Sequence, residues 1–125
     1  VKVVSTANGN KYSIDGVTQK TLTLTAGTAY TFDQTDSTNA NHPLAFSETA
    51  NGTHASGTAY TTGVSSTGTA GSTGKTTFTP ASNAPTPLYY FCTNHSGMGG
   101  TANISGTSGG SGYSVPSKVE PIDTQ

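Results

Sequence analysis

The stretch Thr21-Leu22-Thr23-Leu24-Thr25 puts leucines on one side of an extended chain and threonines on the other, the two-residue period of a half-buried strand. Tyr30 and Phe32 repeat the period in the next segment, beyond the Ala26-Gly27 turn signal. A chain that opens this way must bury one face of a sheet. Extended segments over residues 1–6, 11–15, 20–25 and 28–33 are therefore predicted, with Asp15-Gly16 as a turn between the second and third.

The rest of the chain gives the same message. Polar loop formers fill residues 34–41, and His42-Pro43-Leu44-Ala45-Phe46 then restores an apolar alternation, so that His42 sits where a loop enters a strand. Residues 48–74 are dominated by Gly, Ser, Thr and Ala, with Tyr60 and Val64 as anchors, and read as a surface excursion holding one short strand. Strands are predicted over residues 75–79, 88–92 and 101–105, the second being the aromatic run Leu88-Tyr89-Tyr90-Phe91-Cys92. Alternate members of that run are expected to pack in the core and across strands. No helix is predicted. The fold class that follows is an all-β Greek-key sandwich of about seven or eight strands spanning residues 1–105. Residues 106–125 read as a Gly/Ser linker with a Pro-containing tail, a connector or docking segment.

Composition excludes several functions. Only 9% of the 125 residues are charged, the net charge is −1, and the five basic residues are all lysines without a basic run, so nucleic acid is not an expected partner. No apolar run approaches the roughly 20 residues of a membrane span, and none is amphipathic and basic, so no membrane insertion is expected. Low charge with abundant Thr, Ser and Gly points to an extracytoplasmic setting: periplasm, cell surface or virion surface.

A single Cys cannot form an internal disulfide, so Cys92 needs a different account, as an inert thiol, a nucleophile or a metal ligand. Its surroundings decide. Cys92-Thr93-Asn94-His95-Ser96-Gly97-Met98 gathers a thiolate, an imidazole and a thioether at three-residue steps, and holds the only Cys and the only Met of the chain. Thiolate and thioether favour Cu(I) while imidazole accepts both oxidation states, so His₂Cys ligation with a weak axial Met is the pattern of an electron-transfer copper site. His42, at the mouth of another strand, is the expected second histidine. Zinc would not select a thioether. A Cys92–His95 nucleophilic pair lacks an orienting acid nearby, and no enzymatic activity is expected. His54, in Asn51-Gly52-Thr53-His54-Ala55, is expected on an exposed loop with no ligand partner.

This spacing, Cys-x2-His-x2-Met with an upstream His, resembles the type 1 copper site of the cupredoxins, the family of amicyanin and plastocyanin. The aromatic strand into Cys92, the Thr-rich segment before it and the last strand after Gly100 share the resemblance. The string from Tyr89 to Gly100 is also similar to cupredoxin-like segments in surface proteins of marine cyanobacteria and their phages. The family resemblance implies one copper ion cycling between Cu(II) and Cu(I), held by His42, Cys92, His95 and Met98, with His95 as the electron port and a redox protein as partner. The cyanophage resemblance implies instead a decoration module fastened to an assembly through the tail. Pro43 departs from the family pattern, which has at this position a backbone N–H that donates to the thiolate sulfur; proline has none, implying more electron density on sulfur and a lower reduction potential.

Overall fold

A computed structural model describes residues 1–107. The described residues are all-β, with ten strands: β1 (Lys2–Thr6), β2 (Gly9–Ile14), β3 (Val17–Thr18), β4 (Leu22–Thr25), β5 (Tyr30–Gln34), β6 (Leu44–Ser47), β7 (Val64–Thr67), β8 (Gly74–Phe78), β9 (Leu88–Cys92) and β10 (Gly100–Ser105). The only helical pieces among the described residues are two short 3-10 turns, Ser37–Asn39 and Gly52–Ala55. The predicted tail lies almost wholly outside the described residues.

Three sheets share these strands, in the orders β1-β2-β3, β4-β10-β9-β6 and β5-β8-β7. The count exceeds the seven or eight predicted, and the two-residue β3, which completes a small sheet with β1 and β2, has no counterpart among the predicted segments. Asp15 and Gly16 both have positive φ, 51° and 82°, the backbone of a tight type I′ turn, and this lets Ile14 pair directly with Val17. β10 runs parallel to β4 and antiparallel to β9, so the last strand is inserted between an early strand and the aromatic strand.

The four-stranded sheet and the β5-β8-β7 sheet pack through aromatic side chains. Phe46 of β6 meets Phe32 of β5 edge-on, with ring centroids 5.4 Å apart, and Phe78 of β8 at 4.8 Å. Leu22 and Leu24 are buried while Thr23 and Thr25 face out, as the alternation requires. β9 buries residues on both faces: Leu88, Tyr90 and Cys92 on one, Phe91 on the other, with Tyr89 half-buried. Predicted residues 48–74 carry one strand, β7, as expected, together with the 3-10 turn Gly52–Ala55 and a single bridge from Ala59 to Ser47.

Candidate metal centre

Cys92 is the last residue of β9 and is fully buried. β6 lies antiparallel beside it, with Leu44 paired to Cys92 and the Thr93 N–H donating to the Pro43 carbonyl at 3.1 Å. This register brings His42, two residues ahead of β6, to the same pole as Cys92, as the sequence had suggested for a histidine on a neighbouring strand.

The loop from Thr93 to Gly99 is held from several sides. The Tyr12 N–H donates to the Met98 carbonyl (3.0 Å), Lys11 Nζ to the Gly97 carbonyl (2.7 Å) and Gln19 Nε2 to the Gly99 carbonyl (2.8 Å). From the other side, the Gly97 N–H donates to Asn51 Oδ1 (2.8 Å), and Asn94 Nδ2 donates to the Asn41 carbonyl (3.0 Å). Gly99 is required by close approach, since a Cβ there would collide with the Tyr90 carbonyl. A loop this constrained presents its side chains in a set geometry.

Cys92 Sγ lies 3.6 Å from His42 Nδ1 and 3.7 Å from His95 Nδ1, and one ligand atom from each of the three residues falls within 4.8 Å of the others. The two imidazole rings are 4.6 Å apart and tilted by 46°. Metal–nitrogen bonds of about 2.0–2.1 Å and a metal–sulfur bond of about 2.3 Å would set nitrogen and sulfur about 3.6 Å apart in a tetrahedral site and about 3.8 Å in a trigonal one. The observed Nδ1–Sγ separations fall in that interval, so each histidine is placed to share a metal ion with Cys92, and the three residues form a group that could hold one. Met98 is buried in the same core cluster as Cys92, on the loop that also carries His95.

Exposure is graded across the group: Cys92 is buried, His42 half-buried and His95 exposed. Burial, and secondarily the neighbouring His95, push the His42 imidazole below its ordinary pKa, favouring the neutral form that a metal requires.

No family model, curated protein or solved structure matches this chain. The assignment of a metal-binding group therefore rests on donor chemistry and geometry.

Three contributors went unread in the sequence. Tyr12, fully buried on β2, donates its hydroxyl to the His42 carbonyl at 2.6 Å, and burial together with the adjacent Cys92 sulfur pushes its phenol well above the ordinary range, so it stays protonated. Gln34, at the end of β5, donates to the same carbonyl at 2.8 Å. His54 is exposed as expected and lies outside the metal-binding group, but it is engaged: its Nε2 lies 2.7 Å from the Cys92 carbonyl, which can only accept, so Nε2 carries the proton. The His54 ring also stands edge-on to Phe91, at 87° and 6.2 Å. A tyrosine, a glutamine and a histidine distant in sequence give no local signal of these contacts; only the packing of three sheets brings them to the pole.

Proposed function

We propose that this domain binds one copper ion through His42, Cys92, His95 and Met98 and passes single electrons to and from a redox partner protein, in the manner of the cupredoxins it resembles. The observation that carries the reading is the pair of Nδ1–Sγ separations, 3.6 and 3.7 Å, at the end of a buried strand. When bound, copper supplies a one-electron couple between Cu(II) and Cu(I). The chain supplies the rest. Cys92 would hold the ion by a thiolate from inside the core, the two imidazoles by Nδ1 from different segments, and Met98 by its thioether. The braced loop limits ligand movement between oxidation states, which keeps the reorganisation on electron exchange small. His95, as the exposed member, is the route to a partner.

A decoration module of a virion, filament or cell-surface assembly, with structural copper or none, is the second reading. It is favoured by the polar character of the site's pole, where Asn94, Ser96 and Gly97 are all exposed. Val17 of β3, the one exposed large hydrophobic among the described residues, lies on the small N-terminal sheet and not on the ligand loop. Electron-carrier docking normally uses an apolar patch around the exposed ligand. Either setting agrees with an extracytoplasmic location.

Addition of Cu(II) to the apo-protein tests the metal assignment. The expected result is an intense blue thiolate-to-copper absorption that disappears in Cys92→Ser and persists in His54→Ala; a colourless wild-type complex refutes the site. Given the colour, exchange of electrons with small redox proteins separates the two readings. Rapid exchange supports the carrier, and uniformly slow exchange supports the decoration module.

A further inference from the structure

His42 is not part of a strand, yet its position decides whether the metal-binding group exists. Its N–H donates to the Asn39 carbonyl at 2.8 Å, closing a turn in which Asn41 adopts a left-handed φ of 68°. On the far side stands Pro43, which has no N–H to give to β9. Leu44 and Cys92 form a pair whose neighbouring Thr93 N–H reaches the Pro43 carbonyl, so the Leu44 N–H and His42 carbonyl point the opposite way, off the edge of the four-stranded sheet. Neither group has a ladder partner there.

One side chain from the other sheet takes both. Gln34 ends β5 and is 3% exposed. Its Nε2 donates to the His42 carbonyl at 2.8 Å, and its Oε1 accepts the Leu44 N–H at 3.0 Å. The carboxamide thus bonds the two main-chain groups on either side of Pro43, as one residue of an added strand would. It is itself fixed, because Nε2 also donates to Asn39 Oδ1 at 3.0 Å; Asn39 is fully buried and donates from Nδ2 to the Val1 and Asp36 carbonyls at 2.7 and 3.2 Å. Tyr12 adds a second donor to the His42 carbonyl. Both main-chain polar groups of His42 are therefore held, and its Cα–Cβ direction is set by groups belonging to other elements.

We propose that Gln34 is the positioning residue of the metal centre: acting across the sheet interface, its carboxamide stands in for the strand partner that the edge of β6 lacks at its Leu44 end and aims the His42 imidazole at Cys92. The inference rests on the metal-binding reading above and assigns this chain its own means of holding a histidine ahead of a proline. Partners that orient a ligand typically change metal affinity about 10–100-fold when removed.

The test compares wild type, Gln34→Met, which keeps the side-chain length but has no amide, and Ile104→Ala, a core truncation at the opposite end of β10. Each is titrated with Cu(II), and absorption and electron paramagnetic resonance spectra are taken at saturation beside a thermal melt of the apo-protein. Gln34→Met is expected to bind copper about 10–100-fold more weakly and to show altered spectra even when saturated; Ile104→Ala is expected to melt earlier with the wild-type spectra intact. If wild type gives the thiolate band and Gln34→Met matches it in affinity and in both spectra, the positioning role is overturned. If wild type gives no thiolate band, the metal reading itself fails, and the proposal with it. Should Gln34→Met not fold, Gln34→Glu, which keeps an acceptor for the Leu44 N–H but loses the donor to the His42 carbonyl, is read by the same criteria.

Discussion

His42 carries the most information of any single residue. Its folded-state pKa lies below the ordinary 6.5 because burial, and then the nearby His95, disfavour the imidazolium. The unfolded chain consequently binds the proton more readily in the window between the folded value and about 6.5, so this contribution to stability is fully present above that window and is lost as pH falls through it. Apo-protein unfolded in urea at a series of pH values should lose stability on acidification through this window, and His42→Asn should lose less. Identical pH slopes for the two proteins would remove this account. The grouping of Cys92 with His95 was legible because these neighbours in sequence are also neighbours in space. Tyr12 and Gln34 were not, since each is an ordinary strand residue until the sheets stack.

At the scale of elements, β9 is the strand on which the site depends. Its aromatic run reads from sequence as core, and the structure divides it: Tyr90 packs toward Tyr12, at 6.3 Å between ring centroids, while Phe91 faces the 3-10 turn that carries His54. Gly52 in that turn lies so close to Phe91 that a Cβ would come within 2.5 Å of its ring, and its φ of 53° is left-handed. The turn and the strand are therefore fitted to each other, with the His54–Cys92 hydrogen bond at the contact. Phe91→Ala should cost about 3–5 kcal/mol, the usual range for truncating a buried phenylalanine. Chemical denaturation would measure it, and a loss under about 1 kcal/mol would show that the turn does not pack on β9 in solution. The 3-10 turn itself was not foreseen, because a Gly/Ser/Thr-rich excursion carries no periodicity from which a short helical piece could be read.

For the molecule as a whole, the group that could hold a metal lies where segments from all three sheets converge: β2 through Tyr12, β5 through Gln34, and the four-stranded sheet through Cys92 of β9 and His42 just ahead of β6. A metal bound there joins elements that must all be in place, so binding should stabilise the entire domain rather than one loop. Free Cu(II) at about 100 times its dissociation constant should add about 2.7 kcal/mol, an upward shift of about 10 °C in melting temperature for a domain of this size. Thermal melts with and without metal measure it. Cys92→Ser should show no shift, and an unshifted wild type would separate metal binding from the folded core.

The sequence by itself determined the all-β class, most strand positions and three residues, His42, Cys92 and His95, that could hold a metal, because two-residue alternation, turn chemistry and the softness of sulfur and imidazole donors are local properties. The third sheet, the pairing of β10 with β4 and the register that sets His42 beside Cys92 were decided only by tertiary structure. So was the support beneath the ligands. Hydrogen bonds from Tyr12, Gln34 and His54 to main-chain carbonyls depend on which backbone groups are left without a ladder partner once the sheets have formed, and that is a property of the assembled fold.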